Sequence, residues 1–276
     1  VTRRVIFTAD DFGLDVAVNE AVEIAHRDGV LTSASLMVAE AAAADAVTRA
    51  RALPTLRVGL HLTLVEGRPV LPASEIPDLV GPDGRFRDGM AAAGVRFCFL
   101  PHVRRQLARE IAAQFAAFVA TGLRLDHADA HKHFHLHPTV AGLMIGIGRR
   151  YGLRAVRLPY EPAGPLALVE GPAKRRAGVG AAALRLWTRP LSWRLRRAGM
   201  RGNDQVFGLA WSGAMTEARV AGLLGHLPDG TSEIYFHPAT RRTPALERAM
   251  PEYRHVEEFQ ALLSPRVRAA FATVAS

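Results

Sequence analysis

Short apolar runs alternate with amphipathic stretches along most of the chain. Val5–Ala9 is a buried-strand run that ends at Asp10-Asp11. Over Asp15–Asp28 the apolar residues Val18, Ala21, Val22 and Ala25 recur at helical spacing, with Gly29 as a stop. Leu31–Val38 reads as a strand, Ala39–Leu53 as an alanine-rich helix halted by Pro54, and Leu56–Leu64 as an alternating strand. Residues 65–100 are rich in Pro and Gly and read as a long loop excursion. Val103–Val119 is helical, Arg124–Ala130 is a short strand, Pro138–Tyr151 is helical, and Ala155–Leu158 is a further strand. The segment 160–203 interrupts the alternation. Gln205–Ala210 then reads as a strand, Thr216–His226 as a helix and Thr231–His237 as a last strand. This order predicts an α/β fold with a parallel sheet and helices outside it. About seven strands over this length fit a (β/α) barrel, closed or distorted, in a single domain spanning 1–276.

Composition narrows the class. Of 276 residues, 49% are apolar and 22% charged, which excludes wholesale disorder, collagen and coiled coil. No apolar run approaches the roughly 18 residues of a membrane span; Val140–Ile147 is among the longest. Arg3 and Arg4 lead into a short apolar run with no small-residue cleavage site, so no signal peptide is expected. The single cysteine, Cys98, excludes a disulfide framework and a multi-cysteine zinc site. The chain therefore reads as a soluble, cytoplasmic, enzyme-sized domain. Its net charge of +9 has one source: residues 171–201 carry nine cations and no acid, and the other 26 basic residues match the 26 acidic ones.

Reactive residues cluster where the predicted strands end. Asp10-Asp11 closes the first strand and His61 lies near the end of the third. The fourth runs into Asp129 and His131, the fifth ends at Arg157 with Glu161 just beyond, and the last ends at His237. In (β/α) barrels the chemistry sits at the C-terminal ends of the strands, so these residues converge on one face. Adjacent carboxylates such as Asp10-Asp11 need a compensating cation or hydrogen bonds, although helix capping also accounts for one of them. His127, His131, His133, His135 and His137 fall within 11 residues, and four of them alternate. An extended backbone would put those four on one side. One Asp with two His makes a set that suits Zn²⁺, Co²⁺ or Ni²⁺ with positions left open for water and substrate. The second Asp is then available as a general base, and His237 as an acid or hydrogen-bond donor, an inventory that fits metal-assisted hydrolysis.

Four segments together resemble the YdjC-like carbohydrate deacetylases. They are Thr8-Ala9-Asp10-Asp11-Phe12-Gly13, Gly59-Leu60-His61-Leu62-Thr63-Leu64, Asp129-Ala130-His131-Lys132-His133-Phe134-His135 and Glu233-Ile234-Tyr235-Phe236-His237-Pro238. They occur in family order and near family spacing. The resemblance implies a distorted (β/α) barrel and one divalent metal; on ligand chemistry zinc comes first, with magnesium, cobalt or nickel as alternatives. It implies Asp11, His61 and His131 as metal ligands, Asp10 as catalytic base and His237 as the late catalytic histidine. Two positions depart from the family pattern: Lys132 stands where many members have another His, and Phe236 where many have Cys. Neither is an expected ligand, and both leave substrate preference open. The run from Ala130 to Pro138 is most similar to the hopanoid-biosynthesis (HpnK) branch, which implies an N-acetylglucosaminyl hopanoid as substrate.

The mechanism expected on this basis is removal of an N-acetyl group as acetate, with Asp10 taking a proton from water and His237 protonating the leaving amine. Arg157, His133, His135 and Glu161 are candidate substrate contacts; for Arg157, holding Asp10 in its ionised state is a second role and an ordinary structural ion pair the alternative. In the basic stretch, Trp187 and Trp193 stand among Arg189, Arg194, Arg196 and Arg197, and Pro190 predicts two short helical pieces. Trp and Leu beside Arg is the composition of an element that lies on anionic lipid. Trp187, Trp193, Arg194 and Arg197 are therefore candidate membrane contacts, consistent with peripheral association and a lipid-linked substrate; packing on the barrel is the alternative. A nucleic-acid partner is not expected, because the cations are confined to one segment without a nucleic-acid fold signature. The competing function classes are a deacetylase of soluble chitooligosaccharides and a non-catalytic metal- and membrane-binding protein.

Overall fold

The computed structural model describes residues 3–171 and 178–274. Lys174, Arg175 and Arg176 of the basic stretch lie outside these residues, as do the side chains of residues 178–186, Arg185 among them. The chain forms β1 (Arg3–Phe12), α1 (Val16–Asp28), β2 (Ser33–Leu36), α2 (Ala43–Arg51), β3 (Arg57–Leu62), α3 (Met90–Phe99), α4 (Pro101–Ala120) and β4 (Ala128–Ala130). A 3₁₀ turn over His131–Leu136 leads into α5 (Pro138–Gly148). Then come α6 (Ala163–Glu170), α7 (Gly178–Arg197), β5 (Gln205–Phe207), α8 (Glu217–Leu224), β6 (Gly230–Phe236), α9 (Pro244–Ala249), α10 (His255–Leu263) and α11 (Pro265–Val274).

All pairings in the sheet are parallel, in the order β4-β3-β2-β1-β6-β5. Among the described residues six strands form it, not about seven. The expected strand at Ala155–Leu158 makes only isolated bridges, Val156 to Ala128 and Ala155 to Arg201. Pro159 has no N–H to extend the ladder, and the Asn203 amide takes both the N–H and the carbonyl of Leu158. Residues 155–160 still lie between the two edge strands, because the N–H of Val206 in β5 donates to the Tyr160 carbonyl at 2.8 Å.

The sheet is strongly curled. Arg157 touches Asp129 on β4 and Glu233 on β6 with one guanidinium, at 2.7 and 2.8 Å. Those strands are separated by three others in the sheet order, and strands lie about 4.8 Å apart in a flat sheet, so only a half-barrel brings them within reach of one side chain. Gly59 on β3 makes room inside: a Cβ there would lie 2.4 Å from the His127 ring.

The helices form an outer layer on a continuous apolar core. The 65–100 excursion contains α3, and helices α9–α11 follow the last strand. Within 160–203, α6 and α7 are built into the outer layer, since Leu166, Leu191 and Leu195 are buried in the core. Contrary to expectation, α7 runs unbroken through Pro190. An interior proline costs a helix about 3 kcal/mol. Burial of Thr188, Leu191 and Leu195 on one side of α7, at roughly 1.5–3 kcal/mol for each large apolar side chain, offsets it. No helix among the described residues is long and apolar enough to cross a membrane.

Candidate active site

The C-terminal ends of the strands open into a cavity of about 990 Å³. Asp10, His61, His131, His133, Tyr235, His237 and Tyr253 line its inner part. Glu40, Glu66, Arg68, Arg85, Lys132 and Arg248 line its charged outer part.

Local backbone irregularity brings both aspartates to this site. Regular β1 geometry would send Asp10 and Asp11 to opposite faces. Instead the β1–β2 register slips between Ala9 and Phe12, and Asp11 adopts φ 60°. A non-glycine residue in that left-handed region stores about 1–3 kcal/mol of strain, and here the strain turns a second carboxylate inward. Both aspartates are buried.

Pairing of β3 with β4 sets His61 level with Asp129. His61 Nδ1 lies 2.8 Å from Asp129 Oδ1, and its Nε2 lies 3.3 Å from Asp11 Oδ1. His131 Nδ1 is 3.1 Å from the same Asp11 oxygen. One ligand atom each from Asp11, His61 and His131 lies within 4.8 Å of the others. Burial raises the Asp11 carboxyl, but His131 and His61 outweigh it and hold the group well below the usual carboxylate range. Burial lowers His61, yet Asp129 and Asp11 hold it well above the ordinary histidine value. A carboxylate that stays ionised between two imidazoles forms a place for positive charge.

The donor set fits a divalent cation. Asp11 Oδ2 is buried with no hydrogen-bond partner. The Asp129–His61 contact fixes which imidazole nitrogen faces Asp11, the carboxylate–histidine support common to metal sites. A second group, Asp10, His61 and Asp129, also falls within 4.8 Å. There the cation is already built in: Arg157 Nη1 lies 2.7 Å from both Asp10 Oδ2 and Asp129 Oδ2.

Arg157 does not face the cavity. Its side chain is fully buried, with Nη2 donating to Asp10 Oδ1 at 2.8 Å and Nε to Glu233 Oε1 at 3.0 Å. This corrects the substrate-contact expectation: every N–H of its fork points at a carboxylate. Thr8 Oγ1 also donates to Glu233, at 2.9 Å. Glu161 is corrected likewise. Its carboxylate accepts the backbone N–H groups of Gly208, Leu209 and Ala210 at 2.8–3.0 Å, which organises the loop after β5.

The histidine run is not extended. Lys132 and His133 both take left-handed conformations, at φ 55° and 54°, so the rings fan out instead of sharing a side. His133 stays on the cavity, 3.1 Å from the Tyr235 hydroxyl. Burial and the Arg157 charge hold it well below the ordinary histidine value, so it is neutral. His135 is fully buried on the Arg157 carbonyl at 3.0 Å and does not line this cavity, which corrects its assignment as a substrate contact. His137 packs on Phe97 and Phe134, and His127 lies beneath the site against Ser35.

His237 lines the cavity between Tyr235 and Tyr253. Burial pushes its ring down to about 4. Its Nδ1 is buried without a partner. The sequence names Asp129 at a strand end and Glu233 inside a motif but gives neither a role, and it does not single out Glu258. Asp129 was marked by its place two residues before His131, Glu233 by its place in the last-strand motif, and Glu258 by nothing local. On α7, Trp187 and Trp193 are each 56% exposed, Arg197 stacks 4.9 Å over Trp193, and Arg194 donates to the Pro138 carbonyl at 2.7 Å.

Comparison with known proteins gives one family. The family model described as YdjC-like protein matches residues 4–273. A carbohydrate deacetylase from Homo sapiens is 33% identical over 295 residues, covering 98% of this chain and 87% of that protein. A carbohydrate deacetylase from Brevibacillus brevis is 40% identical over 157 residues, covering 57% of this chain and 60% of that protein. Among solved structures, a protein from Enterococcus faecalis V583, provisionally described as a cellobiose-phosphate cleavage protein, has the same fold. Its TM-score is 0.76 at 24% identity, with 100% of this chain and 96% of that chain covered.

Proposed function

This chain belongs to the YdjC-like family, and from that membership and the donor set above we propose that it is a metal-dependent hydrolase that removes the acetyl group from an N-acetylated sugar. The observation that carries the reading is the convergence of Asp11, His61 and His131 beside a second, separately held carboxylate, Asp10. Asp11, His61 and His131 would hold the ion. On ligand chemistry zinc is the first choice, with magnesium, cobalt or nickel able to take the same set. Such an ion supplies Lewis acidity, which lowers the pKa of water from about 15.7 toward 7 and draws charge from an amide carbonyl.

The protein's own groups account for the proton movements. Asp10 is the base that takes a proton from the attacking water. The two-pronged Arg157 contact fixes its carboxylate, so the remaining lone pairs have one orientation. As the water oxygen bonds to the acetyl carbon, the C–N bond breaks and the nitrogen must receive a proton to leave as an amine. His237 Nε2 is the donor, since Nδ1 is turned into the protein. The ring enters the cycle neutral, because burial holds it near 4, so the proton it gives up has to be replaced. His133 is a neutral hydrogen-bonding group for the sugar. The cavity of about 990 Å³ admits a sugar together with part of what it is attached to.

The proposal extends to an N-acetylglucosamine conjugate that is lipid-linked, an N-acetylglucosaminyl hopanoid on the likeness of the histidine segment. Peripheral membrane contact through Trp187, Trp193 and Arg197 goes with it. Two exposed tryptophans on one helix among arginines support that extension. Arg194 has one donor tied to α5 and contributes less.

Acetate release from N-acetylglucosamine conjugates by metal-loaded protein is the test. The reading expects release that disappears on chelation and returns with metal, and an Asp10→Asn variant that keeps its metal but loses at least 100-fold in turnover. Metal-independent release, or unchanged turnover in Asp10→Asn, contradicts it.

A further inference from the structure

The His237 backbone is held at both ends by one helix. Its N–H donates to Glu258 Oε2, and its carbonyl lies 2.7 Å from His255 Nδ1, both on α10. Glu258 is fully buried, and its other oxygen accepts the Met215 N–H at 2.9 Å. The side chains match the same way. His237 Nδ1 is buried with no partner, and Glu258 Oε2 lies 3.9 Å from it. That gap is too long for a hydrogen bond and closes with a shift of about 1 Å.

We propose that Glu258 is the buried partner of His237, fixing its ring and replacing at Nδ1 the proton that Nε2 gives to the leaving amine. The inference rests on the reading of His237 as the proton donor. In the step, the electron pair of the breaking C–N bond takes the proton from His237 Nε2. The Glu258 carboxyl proton moves to Nδ1, which leaves a neutral imidazole and a carboxylate. The Met215 and His237 N–H groups already point at that carboxylate. Glu258 regains a proton when the one taken up at Asp10 is released to solvent and the site re-equilibrates. Burial raises Glu258 to about 7, so a large share of it carries a proton at neutral pH. This answers how a ring held near 4 serves as an acid without becoming an imidazolium first.

Glu258 does not line the cavity, so it acts as a positioning and proton-supplying residue through His237. Two substrates separate that role from a structural one. An N-acetylglucosamine conjugate needs its nitrogen protonated, whereas 4-nitrophenyl acetate loses a leaving group that departs as an anion. With metal-loaded protein, Glu258→Gln is expected to lower kcat on the amide by about 10–100-fold, the size of loss seen when a carboxylate that orients a metal-bound histidine is removed. Its KM on the amide should change little, and its nitrophenyl acetate turnover should stay within about twofold. Glu258→Asp, which keeps a transferable proton, is expected to recover part of the amide activity even if Glu258→Gln is less stable. His237→Ala should show the same amide-selective loss. Equal loss on both substrates in Glu258→Gln, or no loss, overturns the role of Glu258 while leaving His237 as donor. Absence of selectivity in His237→Ala overturns the donor reading itself.

Discussion

Replacing Arg157 by methionine should be among the most damaging single substitutions in this chain, and the structure sets the size. The guanidinium is fully buried and sits among Asp10, Asp129 and Glu233, whose side chains are also buried, at 2.7–2.8 Å. Burial and these carboxylates oppose each other at Arg157, and the carboxylates prevail, holding its pKa well above the usual value. Methionine matches much of the volume, so cavity formation is minor. What remains is uncompensated buried negative charge, and removing one partner of a buried ion pair typically costs 3–5 kcal/mol. For a chain of this size 1 kcal/mol shifts Tm by roughly 2–4 °C, so Tm should fall by about 10 °C at pH 7. The deficit should also depend on pH. Asp129, raised by burial but held well below 3.8 by Arg157 and His61, stabilises the fold above its ordinary pKa, and that contribution is lost as pH falls through its folded value. In Arg157→Met the carboxylates protonate more easily, so the gap between variant and wild type should narrow from pH 7 to pH 4. Urea melts at the two pH values measure it. A deficit below about 1 kcal/mol at pH 7, or one that widens in acid, refutes the view that Arg157 is the cation holding this carboxylate cluster together.

Three further outcomes follow from the same geometry. Asp129→Ala removes the group that orients His61 and should weaken zinc binding by about 10–100-fold, read by competition with a chelating dye; unchanged affinity would separate Asp129 from the metal site. Burial raises Glu258 from 4.5 to about 7, so its contribution to stability is complete below pH 4.5 and is lost as pH rises through 7. Wild-type stability should carry a term of about 3 kcal/mol over that window which Glu258→Gln abolishes in paired denaturation curves, and parallel curves for the two proteins count against it. Trp187→Ala with Trp193→Ala should weaken binding to anionic vesicles about tenfold or more in sedimentation assays while leaving the fold intact; equal binding removes α7 from any membrane contact.

Much of the architecture was legible because period-two and period-3.6 patterns survive in β1, α1, β3 and α4. The failures have physical causes. Residues 155–158 have strand composition, but Pro159 and the Asn203 amide end the pairing, and only the fold brings Asn203 there. Pro190 is a strong local breaker that tertiary burial of Leu191 and Leu195 overrides. At the site, residue types and spacing identified Asp10, Asp11, His61, His131 and His237 as cavity or cluster residues. They could not reveal the left-handed turns at Asp11, Lys132 and His133, because no glycine marks those positions. The same turns decide that His131 and His133 face the cavity while His135 is buried. Arg157 and Glu161 are charged residues near strand ends, which in sequence looks like a binding surface. Burial and fully used hydrogen-bonding atoms make them internal supports. Glu258 lies on a helix far from every motif, and only its contact with the His237 backbone reveals it.

The most direct test of the account is an anomalous difference map at the zinc edge from crystals of the zinc-loaded protein. One strong peak bonded to Asp11, His61 Nε2 and His131 is expected, with Arg157 still occupying the space between Asp10 and Asp129. A peak centred on Asp10, His61 and Asp129, or zinc bound only elsewhere on the molecule, would contradict it.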